Sequence, residues 1–179
     1  LIEITDYLKE QQKKNAQILH EVYPSAQICA GYSAQDARLW NRNPGHDDFL
    51  FVRLGIGDMP FQMKIETQQQ HFSLTSDTMA DKPELLRKQY ALLRNVPVGV
   101  SLTEHRVVGI ISDDLRGAFS MTRLLAVQIA ANHCYTEVKM VFIGNFGHKA
   151  GDGWDFARWL PHVWSENKRL RYFAHTPEE

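Results

Sequence analysis

Residues 118–133, AFSMTRLLAVQIAANH, place apolar side chains on nearly every face of a helix, so the helix they predict must be buried on more than one side. Such a helix needs layers around it, and the flanking sequence offers them. HRVVGIIS (105–112) and EVKMVFIGN (137–145) read as strands, the second as a continuous apolar run of the fully buried kind. Further strands are expected in FLFVRLGIG (49–57), FQMKI (61–65) and VPVGVSLT (96–103). Buried strands alternating with helices argue for an α/β sandwich with a mostly parallel sheet.

The other helices differ in character. TDYLKEQQKKNAQILHEVYP (5–24) has a cap at Thr5 or Asp6 and a stop at Pro24, with its apolar residues at the two ends and a polar middle. It reads as a separate helical addition, residues 1–24, projecting as the end of a stalk, before an α/β domain over 25–179. SAQDARLWNR (33–42) predicts a short amphipathic helix, NPGHDD a turn, and ELLRKQYALLRN (84–95) a helix behind a polar loop. WDFARWLPHVWSENKRLRYFAH (154–175) predicts an aromatic helix stopped by Pro161, then a strand or extended piece. In it Trp159 is expected in the core, while Trp164 is open to either core or interface.

Net charge is −1, which leaves no basic footprint for nucleic acid. Two cysteines, Cys29 and Cys134, do not make a disulfide framework at this size and suit a reducing compartment. No apolar run nears the ~20 residues that span a bilayer. The chain begins at Leu1 without a leader pattern, as an excised piece of a longer protein would.

The segment GIISDDLRGAF (109–119) raises the question of chemistry, because Ser112 to Phe119 keep the spacing of a phosphate loop, G-x-x-x-x-G-K-[ST]. Only Gly117 fills its place. Ser112 stands for the first glycine, Ala118 for the lysine that reaches the phosphates, and Phe119 for the hydroxyl that holds Mg²⁺. Asp113 and Asp114 put negative charge where a triphosphate would sit, and Leu115 adds nothing polar. Arg116 offsets one of those charges. The carboxylate expected after a second strand is also missing, with Gly144 and Asn145 following Ile143. A capped strand-to-helix turn explains these residues, and no catalytic residue is assigned.

Other motifs are weaker. Gly55-x-Gly57 lacks a third glycine and a following helix, so it fails as a dinucleotide fingerprint. His133 and Cys134 are sequence neighbours without ligand spacing, His46, His148 and His162 are scattered, and no metal site is expected.

RLWNRNPGHDDFLFVRLGIG (38–57), NVPVGVSLTEHRVVGI (95–110) and WDFARWLPH (154–162) occur in that order and together resemble one family. It is the membrane-anchored FtsK/SpoIIIE-type ATPases of type VII secretion, called EssC or EccC. The family positions matched are Trp40, Arg42, Pro44, Asp48, Phe49, Arg53, Gly55, Gly57, Trp159, Leu160, Pro161 and His162. The resemblance implies a RecA-like, P-loop-type α/β domain between a transmembrane and stalk region and the first motor module. It further implies a place at the cytoplasmic face of the membrane. Partners would be the type VII membrane complex and adjacent ATPase modules, in an oligomeric assembly and without nucleic acid. With its loop degenerate, the domain is expected to be a pseudo-ATPase that needs no cofactor, ATP and Mg²⁺ belonging to the downstream modules. The alternatives are a divergent nucleotide-binding or hydrolysing domain of the same motor, and a plain protein-interaction module using Trp164, Arg169 and Arg171.

Overall fold

A computed structural model of the chain describes residues 2–61, 82–144 and 153–174. In order come α1 (Ile2–Val22), α2 (Ala26–Ala30), β1 (Phe51–Pro60), α3 (Lys82–Gln89), β2 (Leu92–Ser101), α4 (Leu115–Asn132), β3 (Phe142–Ile143) and β4 (Phe173–Ala174). Two 3-10 turns, Asp155–Trp159 and Pro161–Val163, lie between β3 and β4. These elements form two compact units, Leu1–Pro24 with Gly55–Val98 and Ser25–Leu54 with Gly99–Glu179. The chain is mixed α/β, as expected, and its sheets are small. Among the described residues β1 pairs with β2, and β3 pairs in parallel with β4, as separate two-stranded sheets.

The strand expected over 105–112 is absent. A β-branched run favours extended backbone, yet a strand also needs a neighbour for its N–H and C=O groups. None pairs with it among the described residues, and Val107 and Ile111 are 91% and 99% exposed. The run 137–145 is likewise only partly a strand. Phe142 and Ile143 pair with Phe173 and Ala174. Met140 is buried, while Val141 and Ile143 are exposed, so the run alternates and is covered on one face only. Residues 62–65 of the expected FQMKI strand, and the polar loop up to residue 81, lie outside the described residues.

In the first unit, α1 is less free than its polar middle suggested. The residues it partly or fully covers, Thr5, Leu8, Gln11, Gln12, Asn15, Ala16, Leu19 and Tyr23, recur at intervals of three or four, which is one helix face. Gln12 Nε2 donates to the Leu92 carbonyl at 3.0 Å, and His20 Nε2 lies 3.0 Å from the Asn95 carbonyl. Two polar side chains of α1 therefore supply partners to strand carbonyls of β2, beside the apolar contact made by the buried Leu8. Leu8, Tyr90, Leu93 and Val96 form the apolar core of this unit. The helix expected over 84–95 stops at Gln89, because Leu93 and Val96 are buried from strand positions in β2. Asn95 sits in the left-handed region, φ 56°, a conformation asparagine tolerates, with its N–H donated to Asp58.

In the second unit, the helix expected over 33–42 is replaced by turns, and the short α2 precedes them. Asp36 explains the change. Its carboxylate accepts the backbone N–H of Arg38 at 2.9 Å and also pairs with the Arg38 guanidinium, a local alternative to helical bonding. Helix α4 is the centre of this unit and is covered along most of its circumference, with Ala126, Gln128, Ala131 and Asn132 buried. The terminal aromatic helix is instead the pair of 3-10 turns, with Pro161 opening the second. Trp159 is corrected from core to surface, at 76% exposed.

Gly99 is required sterically, since a Cβ there would meet the Val52 carbonyl and, at 2.6 Å, the Phe51 ring. Gly55 faces open space, with nothing within 4 Å of such a Cβ. Gly99→Ala should therefore cost about 1–3 kcal/mol as an overpacked position, and Gly55→Ala should leave the urea unfolding midpoint unchanged within ~0.5 kcal/mol.

Candidate functional site

The phosphate-loop residues gather at the N-terminus of α4. Asp114 is the N-cap, and its carboxylate accepts the Gly117 N–H at 2.6 Å. That N–H is among the first orphan donors of the helix, the groups a bound phosphate would use. The Ser112 hydroxyl crowds Gly117, lying 2.6 Å from where a Cβ would be. Asp113, Leu115 and Arg116 are exposed. Phe119, at the hydroxyl position, meets the ring of Trp154 edge-on at 6.3 Å, and Trp154 meets Phe142 at 5.6 Å. The nearest hydroxyl, Ser120, accepts from Arg123 at 3.0 Å. Asn145 lies outside the described residues. Asp155 is exposed at the start of the first 3-10 turn.

The motif residues gather at the other end of the same helix. The last carbonyls of an α-helix have no intrahelical donor and must find one elsewhere. Here each has one. The Ile129 carbonyl accepts from the backbone N–H of His133 and lies 3.1 Å from His133 Nδ1. The Ala130 carbonyl accepts from the Trp40 indole at 3.0 Å, and Ala131 from the Trp40 N–H at 2.8 Å. The Asn132 carbonyl accepts from the Arg42 N–H at 3.0 Å, and the His133 carbonyl from His162 Nε2 at 2.8 Å. Trp40 reaches two successive carbonyls from a left-handed backbone, φ 58°, which costs conformational energy that these bonds offset.

Arg42 supplies the charge that a helix C-terminus favours. It is 5% exposed, its Nε pairs with Asp48 at 2.9 Å, and its Nη1 donates to the Phe51 carbonyl at 3.0 Å. Pro44 lies in the turn between them, where the Asn43 side chain accepts from Gly45. Phe49 packs edge-on against the His133 ring at 5.2 Å. Gln128 clamps the Arg53 backbone in both directions, accepting its N–H and donating to its carbonyl, each at 2.9 Å. Leu160 links the two 3-10 turns, and Pro161 begins the turn that buries His162 and Val163.

The two histidines are structural and neutral. Nε2 of His133 accepts the Leu50 N–H at 2.9 Å, so it carries no proton, and Nδ1–H donates to the Ile129 carbonyl. Burial first, then the nearby Arg42 charge, pushes the His133 pKa below 6.5. Burial also lowers that of His162, with Lys139 adding to the effect. Sequence spacing could not reveal His133 as the hub, because its partners are 29 and 83 residues away. Gln128 and Gly99 were missed for the same reason.

No family model matches the chain. Its relatives do. The ESX secretion system protein EccC of Geobacillus thermodenitrificans is 25% identical over 187 residues, covering 98% of this chain and 12% of that protein. The type VII secretion system protein EssC of Staphylococcus aureus strain MSSA476 is 24% identical, covering 95% of the chain and 12% of its own length. EssC of strain NCTC 8325 is 23% identical over 86% of the chain. The chain is a homologue of the EccC and EssC secretion proteins. It spans about a tenth of the length of these curated relatives. Among the described residues no helix is long and apolar enough to cross a membrane, and no group of three metal-ligating side chains occurs.

Arg42→Ala should cost about 1–3 kcal/mol by taking this partner from Asp48 and the half-buried Phe51 carbonyl, and Trp40→Phe about 1 kcal/mol for one lost hydrogen bond. Both are read from urea unfolding. The histidines set a pH dependence. Because their folded pKa values lie below 6.5, the unfolded chain binds more protons as pH falls beneath that value. Stability should be full above about pH 6.5 and decline on acidification below it. Unfolding midpoints at pH 7.5 and 5.5 measure this, and His162→Gln should flatten the decline.

Proposed function

We propose that this chain is a non-catalytic, RecA-like domain of a type VII secretion motor, and that it links the membrane-side assembly to ATPase modules of the same protein. The observation that carries the reading is the state of the α4 N-terminus. Asp114 already holds the Gly117 N–H, and Phe119 stands where a metal-binding hydroxyl belongs and packs against Trp154. Like charge from Asp113 and Asp114 opposes a triphosphate at the same place. The homologues' names supply the secretion setting, and the polar helix α1 is the proposed end of a stalk.

The linking role rests on α4. Its 18 residues make a rod of roughly 27 Å, with the loop at one end and the hydrogen-bonded motif cluster at the other. A rod fixed at its C-terminus passes displacement at its N-terminus to the elements that cap it. The competing reading, a divergent nucleotide site, rests on Arg116, which is exposed beside the loop.

Calorimetric titration with Mg-ATP separates them. We expect no binding tighter than about 100 μM, equivalent to less than ~5.5 kcal/mol of affinity. Tighter binding that Arg116→Ala weakens tenfold or more overturns the non-catalytic reading.

A further inference from the structure

Beside the second 3-10 turn lies a groove of about 690 Å³ that neither the helix capping nor the loop uses. Tyr135, Trp159, Pro161 and Trp164 give it an apolar lining, and Lys139 and Lys168 bring positive charge against the single carboxylate of Glu166. Lys139 and Lys168 are exposed, and Trp159 is 76% exposed, a large apolar surface for an indole to leave in water.

Arg171 increases the imbalance. Its guanidinium lies 4.4 Å from the Trp164 ring centre and 5.6 Å from that of Trp159, so it braces both indoles by cation–π contact. Its Nε is buried without an acceptor among the described residues. Arg171 lies behind the lining rather than in it, and its charge over the two rings adds to the positive field of the groove. Lys168 is fixed at the tip of its turn in the left-handed region, φ 56°, with its N–H donated to Ser165.

We propose that this groove docks an extended acidic peptide segment of a partner protein, which seats one bulky apolar side chain against Trp159 and Trp164 and spreads its carboxylates over Lys139 and Lys168. Two features favour a peptide over a compact anion. The two lysines of the lining, Lys139 and Lys168, stand on separate segments of the chain, which suits charges spaced along a strand rather than gathered on one phosphate group. The aromatic lining offers an apolar seat of side-chain size, the usual anchor of peptide docking.

The test is calorimetry of the whole chain with a blocked nonapeptide, one leucine flanked by four glutamates on each side. We expect saturable binding in a ratio of one to one, weakened at least tenfold in the Lys139→Glu, Lys168→Glu double variant. The same peptide with lysines for glutamates should not bind, and alanine for the leucine should weaken binding severalfold. Both substituted lysines are exposed, so an unchanged urea midpoint checks that the variant is folded. No heat of binding at millimolar peptide, equal binding of the lysine peptide, or affinity untouched by the charge reversal each overturns the proposal. Displacement of the peptide by ATP also overturns it, by making a nucleotide the occupant. ATP binding that depends on Arg116 instead contradicts the non-catalytic reading and leaves this site standing.

Discussion

The C-terminal end of α4 depends on hydrogen-bond donors from distant parts of the chain, and the second unit is organised around supplying them. The carbonyls from Ile129 to His133 receive bonds from His133 itself, Trp40, Arg42 and His162. A buried carbonyl without a donor costs about 1–3 kcal/mol, so several left open together would rival the whole stability of a domain. Burial of Ala131, Asn132 and His133 at the helix end creates this demand, because water has little access to their carbonyls. The apolar character of the helix and the polar character of the motifs around it are therefore one arrangement.

The two ends of α4 are treated differently. At the C-terminus, chain segments from residues 40–53 and 162 converge, and the cation Arg42 matches the negative end of the helix dipole. At the N-terminus, the cap is local, from Asp114 to Gly117, and the preceding residues 107–112 make no ladder among the described residues. Stability follows that contrast, since local unfolding begins where buried contacts are few. The fixed end and the loose end give the proposed linking role a mechanical basis.

Sequence reading succeeded where local pattern and tertiary packing agree. The helix over 118–133, the strand over 49–57 and the turn at Asn43–His46 all carry their own signals. It failed where pairing decides. HRVVGIIS has every preference of a strand, yet Val107 and Ile111 face solvent, because preference does not provide a neighbour. SAQDARLWNR has helical spacing, but the Asp36 carboxylate bonds Arg38 locally and the backbone at Trp40 turns left-handed. At the candidate site, the ordered motifs were legible as a set through family resemblance. Their purpose was not, since Trp40, Arg42 and His162 meet only on the helix end that the fold brings to them. The loop's failed match to a phosphate site was legible residue by residue, and its packing of Phe119 against Trp154 is the structural counterpart of that mismatch.

The chain is similar to the EccC and EssC proteins over most of its length, and the geometry says which interaction its motif residues serve. Amide hydrogen exchange along α4 tests that claim most directly. If the motif residues hold the helix end, the amides of 129–133 exchange only through opening close to global unfolding, while those of 115–119 exchange faster. Exchange at 129–133 as rapid as that of an ordinary frayed helix terminus would contradict the account.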